Sequence, residues 1–401
     1  MPALLALGFA SGLPLALTLG TLSVWLTESG ISKTQIGLFG AIGIAYSFKF
    51  AWSPLIDHTR LPVLGRLLGQ RRSWMLLTQC LLALSIVFMG TLDPAETPWL
   101  VALAAALVAF ASATQDIIID AYRVEKLTPE RQGTGSAVAV LGYRLGQVAS
   151  GAGALYLSML VGWHITYFCM APLIGIGTLA MLLSGEPQHP PLNRPKHLSA
   201  WFGEPLRDFM TRTDWPLILA FVTFYKLPDA FIGIMGNRYY LETGFTKDQI
   251  AYAGKIYGML ASIAGGFLGA YLIRRRGLLA TLWIGGIACG LGALLFIPLQ
   301  QMNGSVALLA AILTLDNISG GISITAQVAY LSRLCNARFT ATQYALLSSL
   351  TGVARSLSST PSGWVSQTYG WTSFFIVCAS LSLPGLALLA VLTKRQSPRN
   401  A

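Results

Sequence analysis

Apolar stretches recur along the chain at about 20 residues each, the length that a helix needs to cross a hydrocarbon core of roughly 30 Å. Short polar segments separate them, and counting along the 401 residues predicts twelve membrane-spanning helices. The first stretch lacks a basic leading segment and a cleavage site, so we interpret it as a span. The predicted spans are 3–26, 36–56, 73–92, 98–120, 133–158, 165–184, 215–241, 249–272, 278–300, 305–332, 341–366 and 372–392. The pattern therefore predicts an all-α membrane protein with twelve transmembrane helices.

Composition agrees with a membrane protein, and the motifs present limit the kinds of functional site that the chain could contain. Hydrophobic residues make up 54% of the chain and charged residues 11%, with a mean hydropathy of +0.61, which excludes an ordinary soluble domain. The cysteines are dispersed without a CxxC pair, and no zinc, nucleotide or dinucleotide motif occurs. We therefore expect no catalytic residues, no metal and no cofactor. An enzyme is the weakest interpretation, since no nucleophile, base and orienting residue form a recognisable set.

Basic residues predict the orientation in the membrane. Loops on one side carry most of the 27 Lys and Arg residues, whereas only Lys33 and Lys247 lie in the opposite loops. Because positive loops stay in the cytoplasm, both termini are predicted to be cytoplasmic. The pI of about 9.6 then reflects membrane topology, so we expect a lipid bilayer and no nucleic acid as partner.

The chain also repeats itself. A shift of 214 positions aligns Leu13–Pro14 with Leu227–Pro228, and it aligns Gly30 and Gln35 with Gly244 and Gln249. Since the shift corresponds to six spans, the two halves are parallel, a plan that transporters use to build a site at the midplane. The predicted division is a six-helix bundle over 1–184, a cytoplasmic linker over 185–214 and a second six-helix bundle over 215–401. Three GxxxG pairs predict close helix packing: Gly8 with Gly12, Gly142 with Gly146, and Gly265 with Gly269.

Several motifs carry a family resemblance. Twelve spans in two parallel halves, with a basic loop from Asp57 through Gly69 to Arg71 and Arg72, resemble the major facilitator superfamily. More specifically, the chain is similar to the AmpG muropeptide permeases in FASGLPLALTLGTLSVWL (9–26), KFAWSPLID (49–57), ATQDIIIDAYRVE (113–125), VLGYRLG (140–146) and FYKLPDAF (224–231).

That resemblance implies a function. It implies proton-driven import of N-acetylglucosaminyl-1,6-anhydromuramyl peptides across the Gram-negative inner membrane, by alternating access. It also implies a role in peptidoglycan recycling and in β-lactamase induction. We expect a monomer whose partners are the small-molecule substrate, protons and lipid. Two alternatives stay open: an organic-anion or acyl-coenzyme A carrier of the related acetyl-coenzyme A transporter group, and a membrane sensor that does not transport.

Charged residues inside the apolar spans are the candidate functional groups, because an ionised side chain facing lipid costs about 2.5 to 3.5 kcal/mol. Asp116 and Asp120 lie four residues apart and share a helix face. Two carboxylates in a low dielectric repel, which favours a proton on one of them. We predict proton coupling at both, with the alternative that Asp120 lies at the interface and pairs with Arg123.

Lys226 and Asp229 are three residues apart, the spacing of a helical ion pair around Pro228. They serve either as a structural clamp or as a gate that contacts the ligand. Arg144 and Arg355 occupy related positions in the two halves, and each could bind a carboxylate, either from the substrate or from an Asp on another helix.

Other polar residues complete the predicted site. Arg238 adds a further base within a span, so intramembrane bases outnumber acids and a cavity of that sign prefers an anion. For each aromatic residue of the predicted site, packing or anchoring at the membrane interface is the alternative to substrate binding. The remaining predicted substrate-binding residues are Lys49, Tyr46, Gln115, Tyr143, Asn237, Lys255, Tyr257, Asp316, Asn317 and Gln343.

Overall fold

The computed structural model describes residues 1–32, 35–36, 39–187, 197–246, 249–250, 254, 257–300 and 305–396. Within those ranges every regular element is a helix and no strand occurs, so the predicted all-α class is confirmed. The described α-helices are α1 (Pro2–Thr18), α2 (Gly20–Glu28), α3 (Ile44–Phe48), α4 (Ser53–His58), α5 (Leu64–Leu68), α6 (Gln70–Gly90), α7 (Pro98–Lys126), α8 (Gln132–Val148), α9 (Ala154–Met170), α10 (Gly175–Ser184), α11 (Leu198–Met210), α12 (Trp215–Phe224), α13 (Leu227–Glu242), α14 (Gly258–Arg276), α15 (Leu278–Leu294), α16 (Val306–Leu334), α17 (Thr340–Leu357), α18 (Ser359–Ser380) and α19 (Ser382–Gln396).

Eight helical stretches of the described residues are long and apolar enough to cross a membrane. They are Pro2–Glu28, Gln70–Gly90, Pro98–Lys126, Pro129–Ser184, Trp215–Glu242, Leu278–Gln300, Val306–Leu334 and Pro361–Arg395. The 56-residue stretch Pro129–Ser184 contains the predicted fifth and sixth spans. Gly162 lies between these two spans, and its φ of 79° interrupts the helix there. The chain is therefore a multi-pass membrane protein.

The predicted second span, 36–56, is not one continuous helix. Its described part consists of short helical pieces, including α3, a 3₁₀ turn at Lys49–Ala51 and α4. Glycines at 40 and 43 weaken the start, and Pro54 lies in the first turn of α4, where its missing N–H is tolerated. The predicted seventh span is divided in the same way, because Pro228 lies in the first turn of α13, after the break at Lys226.

The chain packs into two compact units. Unit 1 comprises Met1–Pro129, Val138–Leu206 and Cys335–Ser349, and unit 2 comprises Glu130–Ala137, Arg207–Leu334 and Leu350–Ala401. The core of unit 1 is built around Trp25 and Tyr167, and the core of unit 2 around Tyr239 and Phe375. In each core a buried tyrosine hydroxyl, that of Tyr167 or Tyr239, donates to a backbone carbonyl, so these two phenols are hydrogen-bonded despite their burial.

The sequence repeat recurs as repeated geometry. Gly30 and Gly244 have φ of 77° and 90°, and each precedes a reciprocal capping box. In the first half the Gln35 side chain accepts from the Ser32 N–H at 3.3 Å, and the Gln35 N–H donates to the Ser32 hydroxyl at 3.3 Å. Thr246 and Gln249 form the same pair of bonds in the second half, at 3.0 and 3.3 Å.

A tryptophan contact is repeated as well. Trp163 and Trp371 each follow a left-handed glycine, and each donates its indole N–H to a glutamate. The bond to Glu28 measures 2.7 Å and the bond to Glu242 measures 2.8 Å. Each tryptophan also packs against an aromatic residue three positions before the glutamate, Trp25 at 5.9 Å and Tyr239 at 5.1 Å between ring centroids. The same contact therefore joins α2 to α9 in the first half and α13 to α18 in the second half.

The predicted glycine pairs pack as expected. In unit 1 the two pairs face each other: a Cβ on Gly12 would lie 2.0 Å from the Tyr143 carbonyl oxygen, and one on Gly146 would lie 2.2 Å from that of Phe9. Helices α1 and α8 therefore cross with their backbones in contact, which only glycine permits. In unit 2 a Cβ on Gly265 would lie 2.3 Å from the Ile318 carbonyl oxygen, so α14 and α16 cross in the same manner.

Candidate functional site

Asp116 is the central acid of unit 1. It lies on α7, and its carboxylate accepts a hydrogen bond from the Ser11 hydroxyl of α1 at 2.6 Å. The Lys49 ammonium and the Tyr46 phenol lie close enough to interact with it electrostatically, and Tyr143 interacts in turn with Tyr46. The structure therefore brings together Tyr46, Lys49, Asp116 and Tyr143, which the sequence predicted separately. Ser11 was not predicted, since nothing local marks a hydroxyl 105 residues away as a partner of Asp116.

Asp120 has different surroundings although it shares a helix face with Asp116. Lys49 Nζ lies 3.5 Å from one of its oxygens, and Arg123 Nη2 lies 3.3 Å from the other. Asp120 is thus paired with two cations. The structure contains the pairing with Arg123 that was the alternative to proton coupling at this residue.

Gln115 points into the helix packing of unit 1. It is buried, its side-chain oxygen accepts from Gln79 at 2.9 Å, and its nitrogen donates to the Ala10 carbonyl at 2.9 Å. Gln115 therefore ties α7 to α1 and α6, next to Asp116. Arg144 donates from Nη1 to Gln147 at 3.1 Å, while its buried Nε has no hydrogen-bond partner among the described residues. That unused donor fits the predicted role of a guanidinium that receives a carboxylate.

Unit 2 contains the second charged cluster. Lys226 and Asp229 form the predicted ion pair, and the Lys226 ammonium also lies 3.4 Å from the Ser323 hydroxyl of α16. Asp316 interacts electrostatically with both members of the pair. The structure therefore groups three predicted residues from the start of α13 and from α16.

The other predicted residues are more dispersed. Asn317 donates to the Leu313 carbonyl of its own helix at 2.8 Å, Asn237 is exposed on α13, and Tyr257 is exposed beside α14. Gln343 is buried, donates to the Pro205 carbonyl at 3.1 Å and accepts from the Asn336 N–H at 2.7 Å. Lys255 and the side chain of Arg355 lie outside the described residues.

One charged residue behaves differently from expectation. Arg238 is exposed and forms an ion pair with Glu242 at 2.7 Å, one turn further along α13. It therefore belongs to the helix end, beside the Trp371 contact, and adds no unpaired positive charge to the cluster of unit 2.

Comparisons with known proteins decide the family. The Major Facilitator Superfamily profile matches residues 4–359 and, again, residues 229–401. The anhydromuropeptide permease of Escherichia coli K12 is 41% identical over 97% of this chain and 78% of its own length. A Rickettsia conorii protein named as the transporter AmpG 4 is 36% identical over 97% of this chain and 95% of its own length. The chain belongs to the AmpG family of the Major Facilitator Superfamily.

Solved structures agree with the superfamily fold. A bacterial homologue of the iron transporter ferroportin, in an outward-facing state, matches with a TM-score of 0.74 at 15% identity, covering 98% of both chains. The human organic anion transporter MFSD10 matches with a TM-score of 0.69 at 17% identity, covering 97% of this chain and 96% of its own. At these identities the matches establish the major facilitator fold alone.

The superfamily loop motif forms a buried network in this AmpG chain. Arg71, fully buried, pairs with Asp57 at 2.8 Å and with Glu125 of α7 at 2.5 Å. Asp57 also accepts from the Thr342 N–H at 2.8 Å and from the Thr342 hydroxyl at 2.7 Å, at the first turn of α17. An anion at a helix N-terminus is stabilised by the free N–H groups and the helix dipole.

From the sequence, Asp57 and Arg71 are recognisable only as parts of a basic loop, without their partners. Thr342 was missed because its contact joins residues 285 positions apart. A threonine in the first turn of a predicted helix was the local signal that could have found it.

Proposed function

We propose that this protein is a proton-coupled importer of anhydromuropeptides that works by alternating access and serves peptidoglycan recycling. The name of the 41% identical relative, anhydromuropeptide permease, supports the substrate class. The Asp116 cluster supports the proton coupling, since it joins an acid, a hydroxyl and a lysine on three separate segments of one unit. No catalytic step is part of this proposal.

The cluster of unit 1 suits a substrate that carries carboxylates. Lys49 is buried beside Asp120 and adds positive charge that attracts an anion, and the buried Nε of Arg144 has no hydrogen-bond partner among the described residues. Tyr46 and Tyr143 supply rings that can pack against sugar faces. We infer that a muropeptide carboxylate binds near Lys49 and Arg144, while Asp116 takes up and releases the proton.

We also propose the cellular arrangement. The basic loops predict both termini in the cytoplasm of a bacterial inner membrane, with 1–184 and 215–401 as the two bundles and 185–214 as a cytoplasmic linker. A monomer suffices, because both halves of the superfamily plan are present in one chain.

Counterflow in proteoliposomes tests the proposed function. Vesicles loaded with unlabelled anhydromuropeptide should take up labelled anhydromuropeptide, and an inside-alkaline pH gradient should then drive accumulation. Acetyl-coenzyme A and a simple organic anion serve as competing cargo in parallel vesicles.

The outcomes separate the alternatives. Counterflow of acetyl-coenzyme A without counterflow of the muropeptide would establish the acyl-coenzyme A carrier instead. Saturable binding of the muropeptide without any flux would establish a sensor. Exchange that a pH gradient cannot drive uphill would contradict proton coupling while leaving the substrate class intact.

A further inference from the structure

One face of α16 carries a row of polar side chains into unit 2. Asp316, Ser319 and Ser323 follow at spacings of three and four residues, which places them on one side of the helix. Ser319 and Ser323 are buried, and Ser323 lies 3.4 Å from the Lys226 ammonium. A Cβ built on Gly292 of α15 would lie 3.7 Å from an Asp316 carboxylate oxygen. The Asp316 carboxylate thus lies against α15, beside Gly292.

The charges at this face do not balance among the described residues. Lys226 is already paired with Asp229, so a second carboxylate at Asp316 adds one negative charge. The uncharged neighbours that interact with Asp316 cannot neutralise it. The described ionisable groups whose charges reach Asp316 are Lys226 and Asp229, with Tyr240 of α13, Cys289 of α15 and Cys378 of α18.

Two neighbouring carboxylates that have one lysine between them repel each other, and a proton on one of them relieves that repulsion. We propose that Asp316 is a second proton-binding residue of the transport cycle, which holds a proton while Lys226 pairs with Asp229. The proposal rests on the proposed proton-coupled import and extends it to unit 2, where sequence reasoning gave Asp316 a substrate contact.

The arrangement links the proton to the substrate. A substrate carboxylate that contacts Lys226 brings a further negative charge to the cluster, and a proton on Asp316 relieves the repulsion between them. By linkage, protonation of Asp316 then strengthens anion binding by the same factor as anion binding strengthens protonation. The proton passes between water and the Asp316 carboxyl group, and no other bond changes.

Ligand binding as a function of pH tests this link without transport. In purified protein the affinity for anhydromuropeptide should fall as the pH rises, by up to about tenfold per pH unit, the limit for one linked proton. Asp316→Asn should bind with an affinity that changes less steeply with pH than that of the wild type, because one of the two linked carboxyl groups is removed. Asp316→Glu should restore it with a shifted midpoint. The matched control is Asp93→Asn, which removes an exposed loop carboxylate and should leave the profile unchanged. An Asp316→Asn protein that is folded and keeps the full pH dependence overturns the proposal.

An infrared titration supplies a readout that needs no ligand. In an Asp116→Asn background, a protonated-carboxyl band should be present at neutral pH and should disappear on alkaline titration, and the band should be absent when Asp316→Asn is added. If no such band exists, Asp316 holds no proton and the proposal fails. Failure of the muropeptide to bind any variant, with the band present, contradicts the proposed substrate and leaves the proton site standing.

Discussion

Asp116 and Asp120, one helical turn apart, show how the surroundings of a side chain decide its chemistry. Asp120 lies between two cations, Lys49 and Arg123, which both pair with its carboxyl oxygens. Asp116 has a serine hydroxyl as its direct partner, and a hydroxyl can donate to a carboxylate or accept from a carboxylic acid. Ser11 therefore satisfies Asp116 in both protonation states, which is what a residue that exchanges protons requires.

Asp116→Asn should abolish accumulation of substrate against its gradient while counterflow continues. The amide imitates the protonated acid, so the carrier can still exchange substrate but can no longer be driven by protons. The measurement is uptake into proteoliposomes with and without a pH gradient, with the protein content of the vesicles held equal. A variant that concentrates substrate with normal pH dependence removes Asp116 from the proton pathway.

Removal of one member of the Lys226–Asp229 pair should cost more than removal of both. Lys226→Ala leaves Asp229 without its cation, at a cost of up to about 3 kcal/mol, the lower end for buried pairs because Asp229 is partly exposed. The double Ala variant leaves no orphaned charge, so its amount of folded protein in the membrane should recover. We expect this double variant to be folded and inactive. Transport near the wild-type rate would instead identify the pair as a structural clamp.

At the scale of the helices, glycine and proline explain where the structure departs from the apolar pattern. Hydropathy alone predicts an unbroken helix over 36–56, yet this region divides before Pro54, and the seventh span divides before Pro228. Both breaks fall beside a lysine of a candidate cluster, Lys49 in the first case and Lys226 in the second. Broken helices at such sites expose backbone groups where a ligand can use them.

Gly12→Ala should be strongly destabilising. The new Cβ would lie 2.0 Å from the Tyr143 carbonyl oxygen, so α1 and α8 would have to separate, at a cost of about 1 to 3 kcal/mol or more. Gly20→Ala is the matched control, since among the described residues no atom outside its own stretch of helix lies within 4 Å of the position of its Cβ. Thermal unfolding of the two variants in detergent checks the difference. Equal melting temperatures would contradict the backbone contact between these helices.

Trp163→Phe and Trp371→Phe should lower stability by similar amounts. Each change removes one indole N–H donor to a glutamate and keeps a smaller aromatic ring, so the lost hydrogen bond accounts for about 0.5 to 1.5 kcal/mol, reduced by the exposure of both bonds. Glu28→Gln and Glu242→Gln keep an acceptor and should cost less. Thermal unfolding in detergent checks this. A large loss of stability in one tryptophan variant and none in the other would show that the two contacts, although similar in geometry, do not contribute equally to stability.

At the scale of the whole molecule, the features that could be predicted from the sequence are those that depend on a local pattern of residues or on the internal repeat. The helical class, the parallel halves and the glycine crossings follow from the spacing of apolar and small residues. The partners of the site residues do not, because Ser11 and Asp116, or Asp57 and Thr342, meet only through the fold. The Lys226–Asp229 pair was predictable because both members lie on consecutive turns of the chain.

Cysteine labelling tests the predicted orientation. In a background without the native cysteines, Cys at Lys33 or Lys247 should react with a membrane-impermeant reagent added from outside. Cys at Gln188, in the predicted linker, should react only after the membrane is permeabilised. The reverse pattern would contradict the placement of both termini in the cytoplasm.

The repeated tryptophan contact also bears on the ancestry of the chain. Glu28 and Glu242 are equivalent under the repeat, and so are the capping boxes that follow them, whereas Lys226 and Asp229 correspond to Gly12 and Leu15. A gene that once encoded a single half, doubled end to end, would leave this record: the joints between helices retained in both copies and the Lys226–Asp229 pair present in one. A change of charge in one half therefore need not disturb the helix joints of the other.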